Sequence, residues 1–156
     1  MTIEIGEATR DELPTLIELL ADDELGMQRE RLDDDARAAY EAAFEAIDGD
    51  PQHVILVARL GGRVIGCLQL SFLPGLTYTG GWRAQIEGVR VARRARGGGI
   101  GAQLVEAAIG RARDRGCRLV QLTSDRQRPE AIAWYEGLGF QASHAGLKLH
   151  LDAVNP

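Results

Sequence analysis

Between Val89 and Ala102 the chain reads Val-Arg-Val-Ala-Arg-Arg-Ala-Arg-Gly-Gly-Gly-Ile-Gly-Ala: a strand pattern, a basic turn, three successive glycines and a helix. Glycine lets the backbone turn left-handed and approach a ligand closely. The first amides of a helix lack an internal acceptor, and the helix dipole favours negative charge there. Phosphate binding is the chemistry this order suits best, with Arg93, Arg94 and Arg96 adding charge beside it. A Walker A loop is excluded, because Gly101-Ala102-Gln103 lacks the Gly-Lys-Ser/Thr ending. Gly97-x-Gly99-x-x-Ala102 fits a dinucleotide fingerprint, with Asp125 as its ribose acid. That reading loses to position, since the motif follows a run of antiparallel-type strands. Only 31 residues follow Asp125, too few to complete a doubly wound sheet. A glycine-rich helix start that binds nothing is the plain alternative.

The elements around this turn follow from periodicity and punctuation. Ile3 and Ile5 alternate with polar residues in a short strand over Thr2–Glu7. Thr9-x-x-Glu12 is a capping box, and Leu13, Leu16, Ile17 and Leu20 carry a helix to about Ala21. Asp22–Gly26 reads as a break. Asp33 caps a second helix from about Asp34 to Ile47, stopped by Gly49 and Pro51. His53–Leu60 and Arg63–Phe72 are strands joined by a Gly61-Gly62 hairpin turn. Pro74–Gly81 is a loop and Trp82–Ala92 a strand. Ile100, Leu104, Val105, Ala108 and Ile109 stripe a helix to about Arg115, and Cys117–Thr123 is a buried-type strand. Pro129 starts a helix through Leu138, which Gly139 ends. Phe140–Ala142 and Leu147–Leu151 read as two last strands. The order β-α-α-β-β-β-α-β-α-β-β predicts a mixed α/β fold in one domain over residues 1–156.

Two motifs together resemble the Gcn5-related N-acetyltransferase (GNAT) superfamily. Arg96-x-x-Gly99-x-Gly101 matches its acetyl-CoA loop, and Trp134-Tyr135-Glu136-Gly137-Leu138-Gly139-Phe140 matches its later aromatic-Tyr-x-x-x-Gly-Phe ending. The resemblance covers nearly the whole chain, because the element order agrees. It implies a largely antiparallel central sheet with helices on both faces, and acetyl-CoA as co-substrate. The CoA pyrophosphate would sit on amides from Arg94 to Ala102, including those of Arg96, Gly97, Gly98, Gly99, Ile100 and Gly101. Pantetheine would pair with the backbone near Val89 and Val91. Tyr135 matches the family's general acid, with a core aromatic as the competing role.

Glu87 is the candidate base, as the only acid between Asp50 and Glu106, in an apolar and amide-rich strand. Alternation puts Gln85, Glu87, Val89 and Val91 on one face and Arg90 on the other. The bland alternative is a carboxylate paired with Arg83 or Arg90. Gly88 beside it is a candidate bulge. Cys67 and Cys117 lie inside strands, where core packing outweighs a covalent acyl-enzyme. Direct attack in a ternary complex is therefore the expected mechanism. No His/Cys cluster has metal-ligand spacing, so no metal is expected.

The net charge of −5 conceals two parts. Residues 1–50 hold 16 acidic residues against 4 arginines, and the remaining 106 carry +7. Within the acidic part, Asp22, Asp23 and Glu24 occupy the segment that in this family shapes the acceptor pocket. They are weak candidates for attracting a cationic amine, with solvated helix ends as the alternative. The expected activity is acetyl transfer to a primary amine on a cationic small molecule, a lysine or an N-terminus. Loop Leu73–Gly81 is a second candidate for substrate contact or for a homodimer interface. A toxin-type enzyme acting on aminoacyl-tRNA is disfavoured by the acidity, and nucleic acid is not an expected partner. A non-catalytic acyl-CoA-binding regulatory module would need neither Glu87 nor Tyr135. No apolar run reaches membrane-span length and no secretory leader is visible, so a cytoplasmic protein is expected.

Overall fold

The alternation at Ile3 and Ile5 forms β1 (Ile3–Glu7). Thr9 then opens a 3-10 turn (Arg10–Glu12) that runs into α1 (Leu13–Ala21), with Pro14 in the first turn, where its missing N–H is not needed. The Thr9 N–H donates to Glu12 Oε1 at 2.9 Å, as a capping box requires. The computed structural model describes residues 2–152. By contact density the chain divides into two compact units, Met1–Leu122 and Thr123–Pro156, each described by itself.

Glu12 does more than cap. Both its oxygens accept from Arg59 on the neighbouring strand, at 2.8 Å each. These bonds, chiefly that guanidinium, hold the Glu12 carboxyl down at about 2. A carboxyl depressed in the fold stabilises it above its unfolded pKa, here the ordinary 4.5, and loses that contribution as pH falls toward 2. Wild type should therefore exceed Glu12→Gln in urea midpoint at pH 7, with the gap closing between pH 4.5 and 2. A gap that stays constant with pH would remove the assignment.

The expected break at Asp22–Gly26 is shorter than the sequence suggests. Asp23 accepts from the Gly26 N–H and caps a further helix, α2 (Glu24–Arg29). A Cβ at Gly26 would lie 2.0 Å from the Leu20 carbonyl oxygen, so glycine is what lets α2 fold back against the end of α1. α3 (Asp34–Asp48) begins with Asp33 accepting from the Ala36 N–H at 2.8 Å and ends at Gly49.

β2 (His53–Leu60) and β3 (Arg63–Leu73) form the expected hairpin, with Gly61 and Gly62 at φ 57° and 78°. A single turn, α4 (Thr77–Gly80), follows in the Pro74–Gly81 loop, with Tyr78 and Thr79 left-handed at φ 55° and 59°. β4 (Arg83–Val91), α5 (Ile100–Asp114) and β5 (Leu119–Gln121) complete the unit. The sheet order is β1-β2-β3-β4-β5, antiparallel except for β5, which runs parallel to β4.

Neighbouring residues of β3 identify the two faces. A Cβ on Gly66 would stand 3.0 Å from Leu104 Cδ1 and 3.3 Å from Ile100 Cγ2, so that face lies under α5. Cys67 lines a cavity shared with α1 and α3 on the other. Helices thus cover both faces. The α5 stripe of Ile100, Leu104, Val105, Ala108 and Ala112 is buried, and none of the described helices is long and apolar enough to cross a membrane.

In the second unit, α6 (Pro129–Gly137) starts at Pro129 as expected. The two terminal strands do not form: Phe140–Ala142 and Leu147–Leu151 carry no ladder. Leu147, Leu149 and Leu151 are 92%, 85% and 93% exposed. Alternation fixes which side chains share a face, whereas a strand also needs a partner strand, and among the described residues none pairs with these two segments.

Candidate functional site

β4 is the element on which the site depends. Its β5 pairing covers only Arg83–Gln85, so from Ile86 onward that edge has no β5 partner. On the other edge the register slips: Gln69 lies opposite Glu87, but Cys67 lies opposite Arg90. Three steps of β4 match two of β3, which is a bulge. Gly88 sits in it at φ 63°, a conformation that favours glycine.

The bulge corrects the alternation expected from sequence. Residues paired across a ladder share a face, so Glu87 and Arg90 lie together on the α1 side with Gln69 and Cys67. Val91 pairs with Gly66 and turns to the α5 side. An extra residue inverts the phase downstream of it, and simple period-two counting cannot see that.

Glu87 is exposed and lines a cavity of about 310 Å³ with Gly88, Gln69 and Cys67. The rest of the lining is mainly apolar and comes from α1 and α3: Leu13, Leu16, Ile17, Leu20, Phe44 and Ile47 among others. Tyr40 also lines it, and its hydroxyl donates to Glu30 Oε1 at 2.6 Å. Burial, with Glu30 beside it, pushes that phenol up to about 12. The sequence marks these apolar residues as helix stripes; whether a stripe meets a sheet or a cavity is not encoded in its period. Cys67 is buried, and burial pushes its thiol up to about 12. Burial thus favours the protonated thiol, which is a weak nucleophile.

After β4, a 3-10 turn (Arg93–Ala95) leads to Gly97 and Gly99, both left-handed at φ 85° and 78°. A Cβ at either glycine would meet nothing within 4 Å, so the turn is open on that side. Gly99 caps α5 without any side-chain cap, which leaves the first amides of that helix available. Arg96 Nε donates to Val91 O at 3.1 Å, and Arg90 Nη1 to Val89 O at 2.9 Å. The turn therefore presents helix-start amides to an anion, and past Gln85 β4 is not paired with β5, two of its carbonyls accepting instead from Arg90 and Arg96.

The acidic segment has other partners. Asp22 Oδ1 lies 3.0 Å from Arg93 Nε, and Asp23 Oδ2 lies 3.6 Å from Arg90 Nε. Glu24 opens α2, and its side chain lies outside the described residues. Asp22 and Asp23 are absent from the cavity lining.

Tyr135 belongs to the second unit. Its ring makes edge contacts with Trp134 at 4.8 Å and with Phe140 at 5.8 Å. The aromatic motif of the sequence is therefore a ring cluster that orients Tyr135 on α6. Among the described residues no group of three or more His, Cys, Asp or Glu is gathered for a metal.

The model of the family described as acetyltransferase (GNAT) matches residues 13–140. No curated protein sequence matches the chain. Among solved structures, a protein of Bacillus halodurans C-125 described as a transcriptional regulator is 51% identical, with 96% of this chain and 100% of that one covered and a TM-score of 0.93. A Trypanosoma brucei acetyltransferase is 26% identical, with 96% and 100% covered and a TM-score of 0.77. A predicted acetyltransferase from Clostridium acetobutylicum, solved with acetyl-CoA, shares the fold at 19% identity, with 96% and 97% covered and a TM-score of 0.75.

Proposed function

The chain belongs to the acetyltransferase (GNAT) family, and from that premise we propose that it transfers an acetyl group from acetyl-CoA to a primary amine by direct attack in a ternary complex. One observation carries the reading. Glu87 lines a cavity beside the bulge, on the stretch of β4 that has no β5 partner and runs on to the glycine turn.

The residues present fit the co-substrate. Gly97 and Gly99 leave open space where side chains would stand, and the amides of Gly97, Gly98, Gly99, Ile100, Gly101 and Ala102 can hold a pyrophosphate. Arg94 and Arg96 add charge there. Arg96 also spans the turn and the end of β4 through Val91 O. The backbone of Val89 and Val91, whose carbonyls accept from Arg90 and Arg96, would flank the extended pantetheine arm. Bound acetyl-CoA supplies a thioester carbonyl and a thiolate leaving group.

Glu87 takes the proton from the attacking amine, directly or through water, as the new C–N bond forms. Tyr135 donates its phenolic proton to the sulfur as the C–S bond breaks. The buried Cys67 takes no part. Thiol release from acetyl-CoA on adding primary amines, with the amide identified by mass, tests the reading. In the same assay Gly99→Val forces a β-branched residue to φ 78°. It should raise the KM for acetyl-CoA about tenfold or more, since such strain is on the order of 1–3 kcal/mol, and leave kcat within a few-fold. An unchanged KM would remove the turn from CoA binding.

A second reading is a regulatory acyl-CoA-binding module, favoured by the description of the Bacillus halodurans protein as a transcriptional regulator. Such a module would bind acetyl-CoA without thiol release, whichever amine is offered.

A further inference from the structure

We infer that the amine accepted by this site is carried on a small apolar body, an alkyl or aryl group, rather than on a polycation or a sugar. The inference rests on the transfer reading above and adds the chemistry of the acceptor.

The cavity is polar on one side only. Glu87, Gly88, Gln69 and Cys67 of β3 and β4 form that side. Leu13, Leu16, Ile17 and Leu20 of α1, with Phe44 and Ile47 of α3, form the opposing wall. Leu20 reaches over the bulge, since a Cβ at Gly88 would lie 3.5 Å from Leu20 Cδ2. The one other polar tip, the Tyr40 hydroxyl, is already donated to Glu30.

Such a lining provides one carboxylate for one ammonium and apolar surface for everything attached to it. A polyamine would place its further ammonium groups against leucine and isoleucine, and an amino sugar its hydroxyls. Either loses hydration without gaining partners. Two of the three acids that the sequence offered to a cation pair with arginines instead, Asp22 with Arg93 and Asp23 with Arg90. At about 310 Å³ the cavity is at the small end of ligand sites, which suits a compact body rather than a peptide or several rings.

A homologous series with acetyl-CoA at saturation tests this: ethylamine, butylamine, hexylamine and phenethylamine against spermidine and glucosamine. kcat/KM should rise about fourfold per added methylene (about 0.8 kcal/mol) until the cavity is filled. Spermidine and glucosamine should fall at least a hundredfold below hexylamine. Ile17→Ser should flatten the alkyl series while leaving the KM for acetyl-CoA unchanged, and the milder Ile17→Val should flatten it partly. Turnover of spermidine or glucosamine as fast as that of hexylamine overturns the apolar acceptor while keeping the transfer reading. Absence of thiol release with every amine removes both.

Discussion

Replacing Glu87 by Gln should lower kcat by about 10²-fold or more at neutral pH, within the range expected for losing a positioned general base. The substitution is nearly isosteric at an exposed position, so fold and cavity are kept. The KM for acetyl-CoA should not move, because the glycine turn lies beyond the bulge and Val91. Activity should recover as pH rises, since more of the amine is then free without help from the enzyme. That recovery separates a base from a carboxylate that merely holds the ammonium, whose loss would raise the amine KM at every pH. A kcat within twofold of wild type would remove Glu87 from the chemistry.

Tyr135→Phe carries the second large effect. The Tyr135 ring is held by edge contacts to Trp134 and Phe140, and phenylalanine keeps both. What the variant loses is the hydroxyl. If that hydroxyl protonates the leaving sulfur, kcat should fall about 10²-fold with both KM values unchanged. A lowered midpoint with an unchanged kcat would return Tyr135 to an ordinary packing role.

These two residues illustrate how much of the site is legible in the amino-acid sequence. Chemically rare residues stand out: one acid in a long stretch otherwise without acids, three adjacent glycines, and an aromatic ending at a fixed distance. The helices and the Gly61-Gly62 hairpin are equally legible, because caps, periodicity and turn glycines are local. What escapes is non-local. The α2 helix hides inside an acidic cluster because Asp23 is both an acid and a cap. The alternation in Leu147–Leu151 is genuine, yet a strand exists only where a second backbone meets it. The acidic segment, read alone, suggests a trap for cations. In the fold, two of its acids face arginines 67 and 71 positions away, pairings that composition cannot reveal.

The bulge at Gly88 has a consequence for how β4 can change in length. Residues before it index the cavity through Glu87; those after it index the α1–α2 connection through Arg90 and the α5 side through Val91. The strand behaves as two gears meshed half a tooth apart. Removing Gly88 would leave two steps of β4 against two of β3, a regular ladder in which Arg90 stays opposite Cys67 on the Glu87 face. Removing two residues there would invert the phase, turning Arg90 away from Asp23 and toward the α5 side. The bulge thus absorbs one extra residue of β4 without changing the face on which Arg90 lies, and only a second change of length would break that match.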